Sequence, residues 1–197
     1  GFSGTDVKMI VVDKNDDVII SGENQWGHRI VEKISGQTGL LLWKNVYNSA
    51  NYLVATGIAV DKDGYVYSVG SAGGNATPEE RLLIKHNGSD GTVVWSHNYS
   101  TVPGFNVGIV IGKDGYIYTT NQSTYGFSVL KLTQTEANAV TPPSIVWTFL
   151  LTEANPLLEG TRKIAVDKDD YLYVLAPDFC ILKLDQSLSD AITPPTA

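Results

Sequence analysis

Apolar and polar residues alternate along this chain in a pattern that recurs four times. Each copy has an apolar run, a polar turn that reads Asp-Lys-Asp-Gly or a close variant, and a second run with apolar or aromatic residues at alternate positions. The copies span residues 10–20, 58–68, 109–119 and 164–174. Alternation with a period of two, broken by Asp and Gly at tight turns, predicts a β-hairpin in each copy.

Two further apolar runs follow each hairpin, one with a lysine and the next with a tryptophan. These residues are Lys33, Lys85, Lys131 and Lys183, followed by Trp43, Trp95 and Trp147. The Lys33–Trp43 and Lys85–Trp95 spacings are equal, which predicts a hairpin that places each pair face to face, with the ammonium over the indole. Each unit is therefore a four-stranded antiparallel meander, whose strands we call a, b, c and d.

A single meander cannot bury both of its faces, but meanders stacked around an axis can. The repeats are about 50 residues long, a period typical of propeller blades. We therefore predict an all-β fold, a β-propeller of four-stranded antiparallel blades at approximately 7–51, 52–103, 104–157 and 158–197, with the a strands nearest the axis. The fourth blade is predicted to be incomplete, because the Lys131–Trp147 spacing places its outer tryptophan beyond residue 197.

The order and spacing of these motifs resemble the bacterial seven-bladed β-propeller repeat family. The units of that family read apolar-Ala-Val-Asp, a Gly-containing turn, a Tyr strand, a Lys strand and a Gly-x-apolar-x-Trp strand. The Trp strand is also similar to that of quinoprotein-type propeller repeats. The first copy departs from the pattern by lacking the Tyr pair and the turn Gly, and Gly112 replaces the turn Asp in the third. The resemblance implies a fold and leaves the biochemical function open.

Composition and charge narrow the classes of function. Hydrophobic residues make up 43% of the chain and charged residues 18%, and the net charge is −7. The chain lacks a basic stripe, so we expect no nucleic-acid partner. No apolar run approaches the roughly 20 residues of a membrane helix, so we expect no membrane insertion. Cys180 is the single cysteine and can form neither an internal disulfide nor a Cys-based metal site.

The a–b turns are the motif that suggests a metal ion. Asp61 with Asp63, and Asp167 with Asp169, could offer carboxylate oxygens to Ca²⁺. A turn this short supplies about three of the 6–8 oxygens that Ca²⁺ requires. We therefore expect these carboxylates to accept hydrogen bonds from nearby backbone N–H groups, and we expect no cofactor.

The b–c and d–a links vary in length and residue type, whereas the a–b turns are nearly uniform. In a propeller the variable links gather on one face of the ring around the channel mouth, and variable loops on a rigid scaffold are where binding usually resides. Each residue in these links could also be an ordinary loop residue. The candidate ligand-binding residues are Trp26, His28, Tyr52, Glu79, Glu80, Phe105, Tyr125 and Arg162.

No catalytic residue can be assigned from a motif, because the chain contains no Gly-x-Ser-x-Gly elbow or phosphate-binding loop. We predict a non-catalytic scaffold or binding module at an extracellular location, on a cell surface or on a virion, with a protein subunit or a glycan as its partner. The alternative is a quinoprotein-like or hydrolytic propeller enzyme with its site at the channel mouth. The missing strand of the fourth blade is expected from later repeats or from another chain.

Overall fold

The computed structural model describes residues 5–48, 53–72, 80–99, 105–113, 115–123, 126–133, 140–152, 163–169, 171–175 and 181–184. These residues form β-strands and turns, and they include no helix that could cross a membrane. The strands assemble into four antiparallel sheets, in which neighbouring strands follow one another along the chain. The all-β prediction and the predicted a–b–c–d order are therefore confirmed.

Three sheets have four strands each. The first contains β1 (Thr5–Val12), β2 (Val18–Asn24), β3 (Arg29–Ile34) and β4 (Leu41–Tyr47). The second contains β5 (Leu53–Val60), β6 (Val66–Ala72), β7 (Glu80–His86) and β8 (Val93–Asn98). The third contains β9 (Phe105–Ile111), β10 (Ile117–Ser123), β11 (Gly126–Leu132) and β12 (Ile145–Thr152).

The fourth sheet has three strands within the described part of the chain. These are β13 (Ile164–Val166), β14 (Leu172–Leu175) and β15 (Ile181–Leu184), which is consistent with an incomplete fourth repeat. Successive sheets meet through their first strands: β1 contacts β5, β5 contacts β9, and β9 contacts β13. The a strands therefore lie nearest the axis, as predicted, and the sheets fan out from it as propeller blades.

The a–b turns are closed by the aspartate that begins them. Asp61 Oδ1 accepts hydrogen bonds from the backbone N–H groups of Asp63 (3.0 Å) and Tyr65 (2.9 Å). Gly64 adopts a φ of 92°, a conformation that glycine takes without strain. In the first sheet the equivalent position is Asp16, with a φ of 61°. Because Asp tolerates the left-handed region, the first copy makes the same turn without its glycine.

The apolar core lies between the sheets. At the first interface Ile19 and Trp43 pack against Val66 of the second sheet. The Trp43 indole also donates a hydrogen bond to the carbonyl oxygen of Gly88 (3.0 Å), in the c–d turn of the second sheet. A Cβ added at Gly91 would lie 2.4 Å from Trp43 Cε3, so this turn needs a glycine where the indole rests.

The other two interfaces repeat this arrangement. Trp95 and Tyr67 of the second sheet pack against Ile109 of the third. Trp147 of the third sheet packs against Leu172 of the fourth. Tyr67, which is 1% exposed, takes part in this packing between blades. Each d-strand tryptophan is therefore part of a blade-to-blade contact.

His86, at the end of β7, carries a titratable imidazole into the interior. It is fully buried, and its Nε2 lies 3.1 Å from the hydroxyl of Ser68, which is also fully buried. Burial, with a smaller contribution from the positive charge of Arg29, lowers the pKa of His86 to about 4, against a hydrogen bond with the Gly91 backbone that raises it. The ring is therefore neutral near pH 7, because the interior disfavours its charged form.

Replacing Trp95, which is 5% exposed, should lower the free energy of unfolding much more than replacing Trp26, which is 69% exposed. Trp95→Ala leaves a cavity at the second interface and should cost about 3–5 kcal/mol. Trp26→Ala removes a solvated ring and should cost less than about 0.5 kcal/mol. Chemical denaturation of the two variants measures both values, and equal losses would contradict the assignment of the two rings.

Acid should destabilise the fold through His86. Its folded-state pKa lies below the ordinary 6.5, so the unfolded chain binds more protons between pH 6.5 and about 4. Stability should therefore fall by roughly 3 kcal/mol as the pH drops through this window, and this contribution should then level off. His86→Gln should flatten this part of the stability curve, while the exposed control His97→Gln should leave it unchanged. An unaltered slope in His86→Gln would contradict the assignment.

Candidate functional site

The b–c link of the first sheet is a turn held by its own hydrogen bonds. Asn24 Oδ1 accepts from the backbone N–H groups of Trp26 and His28, both at 3.0 Å. The N–H of Gly27 donates to the carbonyl oxygen of Asn24 (2.9 Å), and Gly27 has a φ of 74°. The Gly27 carbonyl in turn accepts from Leu53 N–H (2.8 Å) at the start of β5. This link is therefore fixed both within itself and to the second sheet.

Trp26 projects from this turn into solvent. Its side chain is exposed, whereas the three d-strand tryptophans are 5–7% exposed. The His28 ring lies beside it, with a distance of 6.5 Å between the ring centroids and an interplanar angle of 34°. The turn therefore displays one indole, flanked by an imidazole, on a backbone that the adjacent sheet holds in place.

The other predicted binding residues are placed only in part. Glu80 begins β7 and Phe105 begins β9, at the same end of their sheets as the Trp26 turn. Tyr52, Glu79, Tyr125 and Arg162 lie outside the described residues. Trp26 and His28 are thus the two predicted residues whose side chains are brought together, and the wider set stays a prediction.

Behind this end of the sheets lies a set of buried charges that the sequence did not predict. Glu23, near the end of β2, forms an ion pair with Lys8 (2.5 Å) and accepts a hydrogen bond from Ala55 N–H (2.8 Å). The hydrogen bond to Glu23 raises the pKa of Lys8, against a smaller opposing effect of burial. Because Ala55 belongs to β5, Glu23 joins the first sheet to the second.

Arg29, at the start of β3, is fully buried and makes a second connection between these sheets. Its guanidinium donates to the carbonyl oxygens of Val54 (3.2 Å), Ser68 (3.4 Å) and Leu82 (3.2 Å), one in each of β5, β6 and β7. Burial lowers the pKa of Arg29 to about 10, so it remains charged at neutral pH. Its five N–H donors suit backbone oxygens that approach from several strands.

An arginine recurs at the position of Arg29 in the second repeat. Arg29 and Arg81 stand four residues before the strand-c lysines Lys33 and Lys85. Both arginines are almost fully buried, and burial lowers the pKa of Arg81 to about 10 as well. The third copy has Phe127 at this position, also buried. A recurrent arginine at the same strand position could therefore have been assigned to the interface from the sequence.

At the opposite end, the strand-c lysine of the first sheet meets the a–b turn. Lys33 Nζ lies 2.7 Å from Asp13 and 3.2 Å from Asp17. Burial would raise the pKa of Asp13, but hydrogen bonds from Lys33 and from the turn outweigh it, and the pKa is lowered. Burial would lower the pKa of Lys33, but the two carboxylates raise it. These charges stabilise one another across the turn.

In the other sheets the strand-c lysine places its ammonium over a tyrosine ring. The register pairs Lys85 with Trp95, as predicted, but the ring under the ammonium is that of Tyr65, at 4.0 Å from its centroid. The same arrangement has Lys131 over Tyr116 (3.8 Å) and Lys183 over Tyr171 (3.6 Å). The prediction that the lysine ammonium lies over the indole was therefore wrong. Strand register determines which residues are opposite one another, but it does not determine the direction of a long side chain.

A cleft of about 260 Å³ opens between the first two a–b turns. Asp13, Lys14, Asp63 and Tyr65 line it, together with the c–d turn residue Asn87. Lys14 Nζ crosses from the first turn to the carbonyl oxygen of Lys62 in the second (3.0 Å). The cleft is polar and lies at the uniform end of the sheets, opposite the variable links that the sequence singled out.

The turn carboxylates make the backbone contacts that were expected of them. Asp167 Oδ1 accepts from Asp169 N–H and Tyr171 N–H, both at 2.9 Å, as Asp61 does in the second sheet. Asp167 Oδ2 accepts from the Tyr173 hydroxyl (3.0 Å). Within the described ranges no group of three or more His, Cys, Asp or Glu side chains could hold a metal ion.

Comparison with known proteins gives one family match. Residues 37–75 match the model of a beta-propeller repeat, which covers β4 of the first sheet and β5 and β6 of the second. The matched range thus begins in the c–d turn before the outer strand of the first blade and ends after β6 of the second. Among curated proteins, no sequence matches the chain.

Solved structures resemble the chain over most of its length. The major allergen Mala s 1 of Malassezia sympodialis has a TM-score of 0.69 and 12% identity, over 94% of this chain and 61% of its own. The gluconolactonase XC5397 of Xanthomonas campestris has a TM-score of 0.54 and 13% identity, over 90% and 56%. The beta-propeller domain of Nup133 from Vanderwaltozyma polyspora has a TM-score of 0.52 and 9% identity, over 90% and 54%.

The chain therefore spans between about half and three fifths of the length of these three structures. At such low identities the likeness concerns the fold, and the functions of these proteins do not transfer with it. The beta-propeller repeat matched at residues 37–75, the sheets packed around an axis and the likeness to solved propellers together show that the chain has a β-propeller fold.

Proposed function

We propose that this chain is a non-catalytic propeller module that binds a partner at the end of the sheets formed by the b–c and d–a links. The observation that carries the proposal is Trp26, an indole that is 69% exposed on a turn fixed by hydrogen bonds to Asn24 and from Leu53. An exposed tryptophan on a rigid backbone offers a large contact area and loses little conformational entropy on binding. Tryptophan is also among the residues that dominate binding energy at interfaces.

The partner is a protein subunit or a glycan. A protein would bury the Trp26 indole in an apolar pocket, with His28 at the rim as a hydrogen-bonding group. A glycan would stack a sugar ring on the indole face. An extracellular, cell-surface or virion location follows from this role as part of the proposal, because such modules present their loops to external partners.

The buried charges at this end support a binding role over an enzymatic one. Glu23 is engaged by Lys8 and Ala55 N–H, and Arg29 donates to three backbone oxygens. Groups already engaged by the scaffold in this way are poorly placed to transfer protons to a substrate. A quinoprotein-like enzyme would show new absorbance and dye-reducing activity after addition of a quinone and Ca²⁺. A hydrolytic enzyme would turn over an ester or a lactone. Either result would contradict the proposal of a non-catalytic binding module.

We also propose that the fourth sheet is completed from elsewhere. β3, β7 and β11 each pair with a tryptophan-bearing strand, whereas no strand pairs with the far side of β15 among the described residues. β15 also carries Ile181, which is 65% exposed. Later repeats of the same polypeptide or a strand of another chain would satisfy the backbone groups at this edge.

Binding should depend on Trp26 more than on exposed residues elsewhere. Trp26 is the exposed one of the four tryptophans, so its fluorescence can be isolated by iodide quenching. Titration with soluble oligosaccharides should protect Trp26 from iodide if the partner is a glycan. With Trp26 left in place, a photo-crosslinking residue at the adjacent, exposed Gln25 should capture a defined protein if the partner is a subunit, whereas the same residue at exposed Lys62, at the opposite end, should not.

Substitutions at Trp26 and at Lys62 compare the two ends of the sheets as binding surfaces. Trp26→Ala should weaken the binding of the identified partner at least tenfold, a loss of about 1.4 kcal/mol or more, and Trp26→Phe should retain part of it. Lys62→Ala should bind as the unmodified chain does. A partner that binds Trp26→Ala with undiminished affinity would exclude this end as the binding surface.

If the fourth sheet is completed from elsewhere, the edge of β15 that no described strand covers should make the 197-residue chain associate with itself. Light scattering over a range of concentrations should show a rising average mass, because unpaired strand edges recruit other strands. Ile181→Lys should reduce the association, since a charge on an edge strand opposes pairing. Val140→Lys, at an exposed position outside β15, is the control. A chain that stays monomeric throughout would contradict the proposal that this edge needs a partner strand.

A further inference from the structure

The inner strands of the first three sheets share an irregularity near the axis. The pairing of each a strand with its b strand shifts at one residue: Lys8 in β1, Thr56 in β5 and Val107 in β9. The extra residue of such a β-bulge is left out of the ladder, so its backbone groups need other partners. The repeat therefore places bulge carbonyls at the same level of successive inner strands.

Lys163 meets two of these carbonyls. Its Nζ donates to the carbonyl oxygens of Thr56 (3.2 Å) and Val107 (3.3 Å) and lies 3.6 Å from Met9 Sδ. Lys163 directly precedes β13 of the fourth sheet, and its own carbonyl accepts from Leu175 N–H (2.9 Å). One ammonium thus contacts the inner strands of all three preceding sheets.

The chemistry of the contacts matches an ammonium group. A lysine ammonium has three N–H donors, and it has three acceptors here: two carbonyl oxygens and one thioether sulfur. These three acceptors are neutral, and burial lowers the pKa of Lys163. Because the Lys163 side chain is exposed and no carboxylate is among these three contacts, backbone dipoles and solvent together hold the charge.

The repeat positions next to the bulges explain why the inner strands come so close together. Met9, Gly57, Gly108 and Lys163 are equivalent residues in the four copies. A Cβ on Gly57 would lie 3.0 Å from Ile109 Cγ2 of β9, and one on Gly108 would lie 3.1 Å from Ile164 Cγ2 of β13. Glycine at these two positions lets the next inner strand approach, and the bulge oxygens beside the glycines converge on one point.

We propose that the bulge carbonyls of Thr56 and Val107, with Met9 Sδ, form an axial binding site for a primary ammonium group, which Lys163 fills in the native chain. The site takes a cation that can donate several hydrogen bonds, and it is independent of Trp26. When the Lys163 side chain is removed, a free primary alkylammonium ion takes its place.

Chemical rescue of Lys163→Ala tests this site. The variant should melt at a lower temperature than the unmodified chain, because two axial carbonyls lose their donor. Methylammonium or ethylammonium chloride should restore at least half of the lost melting temperature, with saturation, and should leave the unmodified chain unchanged. Tetramethylammonium chloride at equal concentration has no N–H donor and should give no rescue. Lys168→Ala, which removes an exposed lysine of the same repeat, should show neither loss nor rescue.

Each other outcome overturns the assignment. Equal rescue by tetramethylammonium would show an effect of ionic strength, and rescue by potassium chloride alone would show a metal-cation site. An absence of rescue in a folded variant would show that no ammonium site remains. If Lys163→Ala does not fold, NMR of the unmodified chain decides: the Lys163 ε-methylene should show nuclear Overhauser contacts to the Met9 methyl and to Thr56 and Val107, and their absence would refute the site.

Discussion

A four-stranded antiparallel sheet has two faces, and apolar residues on either face stay in water unless another sheet covers them. Residues at equivalent positions of the first two repeats show this difference between covered and uncovered faces. Ile58 and Val60 pack against the first sheet, whereas their counterparts Ile10 and Val12 are 69% and 55% exposed on the outward face of β1. The fold depends on this mutual cover, and the d-strand tryptophans supply its largest rings.

Polar groups then determine how the sheets sit against one another. Three side chains of the first sheet extend to the second and donate hydrogen bonds to its backbone oxygens: Arg29, Lys14 and the Trp43 indole. Because strand pairing fixes where these oxygens lie, each donor has one position in which it is satisfied, and an unsatisfied buried donor is costly. The same principle fixes the Trp26 turn through the hydrogen bond from Leu53 to Gly27. A rigid scaffold with one displayed indole is the physical basis of the proposed binding role.

Local patterns were sufficient to predict the strand order, the a–b turns and the Lys–Trp register, because alternation and turn chemistry act over a few residues. The burial of Arg29 was not predicted, since arginine is usually exposed and its three acceptors come from strands 25–53 residues further along. The Lys85–Tyr65 contact was missed because it depends on the direction of a side chain. The position of Lys163 depends on β-bulges, which cannot be predicted from the type of residue at the bulge.

For the candidate site, Trp26 and His28 could be chosen because they lie in a variable link, but the hydrogen bond from β5 that supports this link is seen only in the three-dimensional structure.

Donors that cross from one sheet to the next make neighbouring blades a single cooperative unit. Native-state hydrogen exchange of Arg29→Met tests this coupling, because methionine keeps much of the side-chain length and removes the three donated hydrogen bonds. Amide protection should fall together in the first sheet and in β5, β6 and β7, where the acceptors lie. Loss of protection confined to the first sheet, with the second sheet unchanged, would contradict it.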